Sequence, residues 1–141
     1  MKRTATAEWQ GDLMKGKGTI STESGVLSQT PYSFSTRFEG VKGTNPEELI
    51  AAAHSGCFTM ALSAELGKAG MTATSLQTTA AVSLDKTDAG WTVTTIHLDL
   101  KAKIPGADKA KFDAAVATAK ANCPISRLLN AKITLDAKLE A

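Results

Sequence analysis

At 141 residues the chain has the length of one domain, 1–141, with enough material for a sizeable core. A net charge of +2 with scattered lysines, and aromatics at 5%, argue against a surface for nucleic acid, which needs a basic face or stacking platforms. Lys2 and Arg3 are not followed by an apolar stretch, so no secretion signal is expected and the expected location is cytoplasmic.

Residues 4–10 alternate, Ala5, Ala7 and Trp9 against Thr4, Thr6, Glu8 and Gln10, which predicts a half-buried strand. Gly11-Asp12 predicts a turn, and a second strand is expected over 15–22, weakened by Gly16 and Gly18. Tyr32, Phe34, Thr36 and Phe38 alternate with Ser33, Ser35, Arg37 and Glu39, which predicts a third strand.

The run NPEELIAAAHSGCFTMALSAELGKAG follows. Asn45 suits an N-cap, Pro46 the first helical position and Glu48 the third place of a capping box, while Gly70 suits the stop. From Leu49 to Leu62 only His54 and Cys57 are ionisable, so a core helix, buried on nearly all sides, is expected. Ser, His and Gly interrupt it and Glu65 and Lys68 close it, which argues against a membrane span.

Two strands are predicted over 75–86 and 90–103, joined by a turn at Asp88-Ala89-Gly90. Asp108 can cap a helix to about Asn122, with Phe112, Ala115, Val116 and Ala119 on one face. Pro124 can begin a short helix over 124–129, and Ile133, Leu135, Ala137 and Leu139 alternate as a closing strand. Strands in blocks, βββ-α-ββ-α-α-β, define an α+β class with largely antiparallel sheet.

The chemistry available centres on Cys57 and Cys123. In a cytosolic chain such a pair suggests catalysis or metal binding rather than a staple, although a free cysteine is often simply a small buried apolar residue. An ordinary thiol is only a few per cent ionised at neutral pH. A mid-helix, poorly hydrated Cys57 gains little from the helix dipole, so a reactive Cys57 needs a neighbouring cation. Arg37 is a candidate, although its pattern alone favours a solvated arginine. Cys123, before Pro124, sits at the N-cap of a possible helix, where backbone N–H groups lower a thiol pKa. A zinc site built from His54, Cys57, His97 and Cys123 is the rival constellation, set back by His97 lying on the polar face of its strand. His54 reads best as a satisfied core or pocket histidine.

The run RFEGVKGTNPEELIAAAHSGCFTMALS, with ANCPISRLL, resembles the OsmC family of organic hydroperoxide reductases (osmotically inducible protein C), and its OsmC branch rather than the Ohr branch. The likeness extends from AEWQGDLMKGKGTISTESGVL to ITLDAKLEA. It implies antiparallel sheets wrapped around a long central helix in an intertwined homodimer. It also implies a thiol peroxidase without metal, haem or flavin. Cys57 matches the peroxidatic cysteine, whose thiolate attacks ROOH, releases ROH and is left as a sulfenic acid. Cys123 matches the resolving cysteine, Arg37 the arginine held against the thiolate, and Glu47 the acid that orients it. A dithiol reductant, in some members a lipoylated protein, reopens the disulfide. The substrate pocket is expected to be apolar, with Phe34, Phe38, Phe58, Met71 and Ile125 as candidates for its lining or for ordinary core.

The spacing of two of these residues supports one further inference. Glu47 and Cys57 are ten residues apart on one expected helix, about 15 Å along its axis, which a glutamate cannot span. If both serve one site, either Arg37 bridges the gap or Glu47 comes from a second chain. The remaining alternatives are a thiol–disulfide or sulfur-transfer enzyme and a small zinc-binding or ligand-binding module.

Overall fold

The computed structural model describes residues 1–141. The chain divides into two compact units, Met1–Leu49 and Ile50–Ala141.

In the first unit, β1 (Ala5–Gln10), β2 (Lys17–Thr22) and β3 (Thr30–Tyr32) form an antiparallel sheet in the order β1-β2-β3. Gly18 pairs with both Trp9 and Tyr32. A Cβ on Gly18 would lie 2.4 Å from the Tyr32 ring and 2.8 Å from that of Trp9, so only glycine lets these rings approach, with centroids 5.5 Å apart. The glycine expected to weaken β2 is therefore what permits the main packing contact of this sheet. All of β1 is exposed, not half-buried as its alternation suggested.

The third predicted strand stops at Tyr32, and residues 34–38 instead form helix α1 (Phe34–Phe38). Phe34 and Phe38, four apart, share a face in a helix as well as in a strand, and their rings lie 4.9 Å apart. A reciprocal cap decides between the two. The Thr36 N–H donates to Ser33 Oγ at 3.2 Å and the Ser33 N–H to Thr36 Oγ1 at 2.8 Å.

Helix α2 (Pro46–Lys68) starts in the first unit and continues into the second. Asn45 caps it, accepting from the Glu48 N–H at 2.8 Å. The Glu48 carboxylate accepts from the Thr44 hydroxyl at 3.0 Å instead of closing a box onto Asn45. At the other end the Met71 N–H reaches Leu66 O at 2.8 Å and the Gly70 N–H reaches Gly67 O at 3.0 Å, with Gly70 at φ 77. That is a Schellman stop, for which the left-handed glycine is needed.

The apolar core belongs to the second unit. Strands β4 (Ser75–Thr87) and β5 (Gly90–Lys103) form the expected antiparallel hairpin. The β5 side chains Ile96, Leu98, Leu100 and Ala102 are buried, as their alternation predicts. Helix α3 (Lys109–Asn122), capped by Asp108 accepting from the Lys111 N–H at 3.0 Å, adds Phe112, Ala115, Val116 and Ala119. Helix α4 (Pro124–Leu128) leads to β6 (Lys132–Glu140). Strand β6 pairs in parallel with β5, so the sheet is mixed, in the order β4-β5-β6. A crossover containing two helices is long enough to return the chain in the same direction, which a hairpin cannot do.

Helix α2 is buried on one stripe only. His54, Phe58, Leu62 and Leu66, each four apart, face the core. The opposite side, including Ala53, Gly56, Met60 and Ala64, is exposed in the single chain, Met60 by 78%. The expected all-round burial is therefore corrected. Its small and apolar residues reach further round the helix than this chain's own sheet covers.

Candidate active site

The four expected residues fall into two pairs. In the first unit, the Arg37 guanidinium on α1 grips the Glu47 carboxylate in the first turn of α2 with two bonds, Nε to Oε2 at 3.1 Å and Nη2 to Oε1 at 2.5 Å. Such a fork fixes the guanidinium plane and leaves Nη1 outside it. Burial pushes the Glu47 carboxyl up, but the hydrogen bond and charge of Arg37, with help from a backbone N–H, outweigh it and hold the group below the usual carboxylate range. A cavity of about 200 Å³ beside Arg37 is lined by Trp9, Leu13, Tyr32, Phe34, Phe38 and Pro46.

In the second unit, Cys57 and Cys123 are both free thiols. Cys57 is half-buried midway along α2. Cys123 is buried and ends α3 while capping α4, its Sγ accepting from the Ser126 N–H at 3.4 Å. The two thiols act on each other's ionisation, and the Ile125 amide acts on both. Burial raises the Cys57 thiol above its ordinary value, and so does holding the proton it shares with Cys123. Burial also acts upward on Cys123, but the bond from Cys57, the Ser126 hydroxyl and amide, and the Ile125 amide together bring it down. Within this unit the charge thus favours Cys123 and the proton Cys57, so a nucleophilic Cys57 requires a cation.

His54 is fully buried and its Nε2 lies 2.8 Å from Ser126 Oγ. His97 lies on β5 against β6, its Nδ1 2.5 Å from Thr134 Oγ1 and its Nε2 3.2 Å from Asp136 Oδ2. No three His, Cys, Asp or Glu side chains gather as a metal site, so the zinc constellation is not assembled. Of the expected pocket residues, Phe34 and Phe38 border the cavity at Arg37. Phe58 is fully buried in the core, and Ile125 contributes its amide to the sulfurs. Sequence reading missed Ser126. The available signal was its place three residues after the cap Cys123, where a backbone N–H meets the capping side chain.

An α+β fold with two free thiols suits a cysteine-based oxidoreductase, and the chain's relatives make it a peroxiredoxin-type enzyme. The chain belongs to the family described as OsmC-like protein, which matches residues 39–138. It is 60% identical over 135 residues to Peroxiredoxin OsmC of Escherichia coli, covering 96% of this chain and 94% of that one. The same figures hold for Peroxiredoxin OsmC of Shigella flexneri. The organic hydroperoxide resistance protein OhrB of Bacillus subtilis is 26% identical with a TM-score of 0.68, covering 97% of this chain and 98% of that one. An OsmC-like protein of Vibrio cholerae shares the fold at a TM-score of 0.79 and 19% identity, covering 98% of this chain and 99% of that one.

Proposed function

We propose that this enzyme reduces organic hydroperoxides to alcohols as a cytoplasmic homodimer. The observation that carries the reading is a pair of free thiols, Cys57 on α2 and Cys123 at the α3–α4 junction, each acting on the other's ionisation. The Cys57 thiolate attacks the distal oxygen of ROOH, the O–O bond breaks, and the alkoxide takes a proton to leave as ROH. Cys123 then attacks the sulfenic sulfur, a disulfide forms and water leaves. A dithiol reductant, with a lipoylated protein as the proposed source, supplies two electrons and two protons to restore both thiols.

In this reading the Arg37–Glu47 pair serves the same chemistry. Arg37 stabilises the Cys57 thiolate and the departing alkoxide, and Glu47 fixes its plane. Support comes from the charge balance of the thiol pair, which leaves Cys57 protonated without a cation. The dimer is supported by the uncovered face of α2, where a groove of about 680 Å³ is bordered by Gly56, Met60, Ser63 and Gly67. Small residues of this kind suit the close approach of a second helix. Helix α2 is long and apolar enough to cross a membrane, but one stripe is already committed to the core. Thiols that must be re-reduced at each turnover suit a reducing compartment.

The test is stopped-flow mixing of reduced protein with cumene hydroperoxide or hydrogen peroxide, followed by thiol counting. Rapid loss of both thiols, with the organic peroxide preferred and no thiol loss in Cys57→Ser, is expected. Survival of both thiols, with rapid exchange against protein disulfides, would establish the thiol–disulfide alternative instead. A verified monomer with full activity would overturn the dimeric site.

A further inference from the structure

Two buried polar side chains next to this chemistry have no place yet in its reaction steps. His54, three residues before Cys57 on α2, is 0% exposed, and Ser126 on α4 is 9% exposed. The Ser126 hydroxyl lies 2.8 Å from His54 Nε2 and 3.5 Å from Cys123 Sγ. His54 Nδ1 is buried without a partner. These contacts leave two proton arrangements. If Ser126 donates to His54, Nδ1 carries the imidazole proton, a buried N–H with nothing to bond. If His54 Nε2–H donates to Ser126, the orphan is a bare acceptor, and the Ser126 proton is free to point at sulfur. Buried orphan N–H groups are the rarer kind in folded proteins, so the second arrangement is favoured. Burial also keeps His54 neutral by lowering its pKa, so one ring nitrogen must be bare.

We propose that His54 and Ser126 are positioning residues for the resolving step, His54 Nε2–H orienting the Ser126 hydroxyl so that its proton holds Cys123 Sγ as a thiolate aimed at Cys57. This rests on Cys123 being the resolving cysteine. The serine keeps its proton throughout. The proton lost by Cys123 leaves with the hydroxyl of the Cys57 sulfenic acid as water, and the Ser126 bond weakens once the sulfur has become a neutral disulfide.

Other groups around Cys123 do not replace this bond. Cys57 is the titratable group that acts on it from α2, and His54 and Ser126 are the buried polar side chains of the second unit. Lys120 of α3 borders a surface cavity together with Ser126, and Arg127 is exposed beside it.

The consequence is a crossed pH profile. Losing a hydrogen bond to a thiolate raises its pKa, here by about one unit, which cuts the ionised fraction roughly tenfold on the acid side. A more basic thiolate is intrinsically more nucleophilic, by about threefold per unit. Ser126→Ala should therefore resolve the sulfenic acid about threefold more slowly at low pH and about threefold faster at high pH, with the midpoint moved up by about one unit. A merely structural loosening slows the step at every pH and moves no midpoint.

The experiment is stopped-flow decay of the sulfenic acid after one equivalent of cumene hydroperoxide, across pH, in wild type, Ser126→Ala, His54→Leu and His54→Gln. His54→Leu should shift like Ser126→Ala, and His54→Gln, which keeps an N–H donor near the Nε2 position, should return toward wild type. Uniform slowing without a midpoint shift in Ser126→Ala overturns the proposal, even if neither His54 variant folds. The ultraviolet thiolate absorbance of Cys123, titrated in Cys57→Ser with and without Ser126→Ala, needs no peroxidase activity. An upward shift there, in a protein whose wild type consumes no peroxide, would keep the Ser126 bond to the Cys123 thiolate and refute the peroxidase reading. No shift in an active enzyme would refute the positioning role alone.

Discussion

The two compact units keep their stability in different places. Residues 50–141 bury a continuous apolar cluster from α2, β4–β6 and α3, including Phe58, Leu62, Ile96, Leu98 and Phe112 at 0–1% exposure. Residues 1–49 bury no large apolar side chain; only Gly18, Thr36 and Thr44 are closed off. The first unit is tied by directional contacts: the Ser33–Thr36 cap, the Thr36 hydroxyl on Thr44 O at 2.9 Å, the Trp9–Tyr32 rings and the Arg37–Glu47 fork. A core supports the thiols, whereas the cation is held by hydrogen bonds. The first arrangement tolerates surface change and the second punishes loss of one partner.

The largest effect that would sharpen this contrast is chemical. Cys57→Ser should abolish peroxide consumption while leaving the urea midpoint nearly unchanged, because a half-buried sulfur is replaced by an oxygen of similar shape. Phe58→Ala comes next. It should cost about 3–5 kcal/mol by denaturant unfolding, the usual penalty for emptying a buried aromatic site. Arg37→Lys should reverse that pattern, with stability held within about 0.5 kcal/mol and turnover down roughly 100-fold, because an ammonium cannot be clamped in a plane by Glu47 while presenting a second N–H edge. Near-normal turnover would break the assignment of Arg37. Trp9→Ala should cost only about 1 kcal/mol, the worth of one ring pair, and a loss as large as that of Phe58→Ala would mean that the first unit depends on an apolar core after all. The smallest effect is on acid. The depressed Glu47 carboxyl contributes stability that is present above its ordinary value of 4.5 and is lost as pH falls through its lower folded value. Activity should therefore survive mild acid in wild type and lose that margin in Glu47→Gln.

What could be read from the chain follows the same division. The β4–β5 hairpin, the Asp108 cap and the apolar stripes of β5 and α3 are local periodicities facing one core, so they were legible. Helix α1 was not, because aromatic residues four apart satisfy the periods of both strand and helix, and a side-chain cap decided between them. The exposure of β1 and of the outer face of α2 was also hidden, since patterning tells which side is apolar but not what covers it. The parallel direction of β6 depends on the crossover rather than on any residue within the strand. Among the site residues, the cysteines stood out by scarcity and Cys123 by its proline. The partnership of Arg37 with Glu47 came from family likeness, because no spacing rule joins a residue of one helix to a carboxylate ten positions further on.

Cys123 is at once the C-cap of α3 and the N-cap of α4, which makes the choice of its replacement an experimental variable. Serine keeps a side-chain acceptor for the Ser126 amide, whereas alanine removes it and should cost α4 about 1 kcal/mol of local order. A thiol-free variant made with alanine therefore mixes two losses, one of redox chemistry and one of helix geometry. Only the serine variant isolates the first.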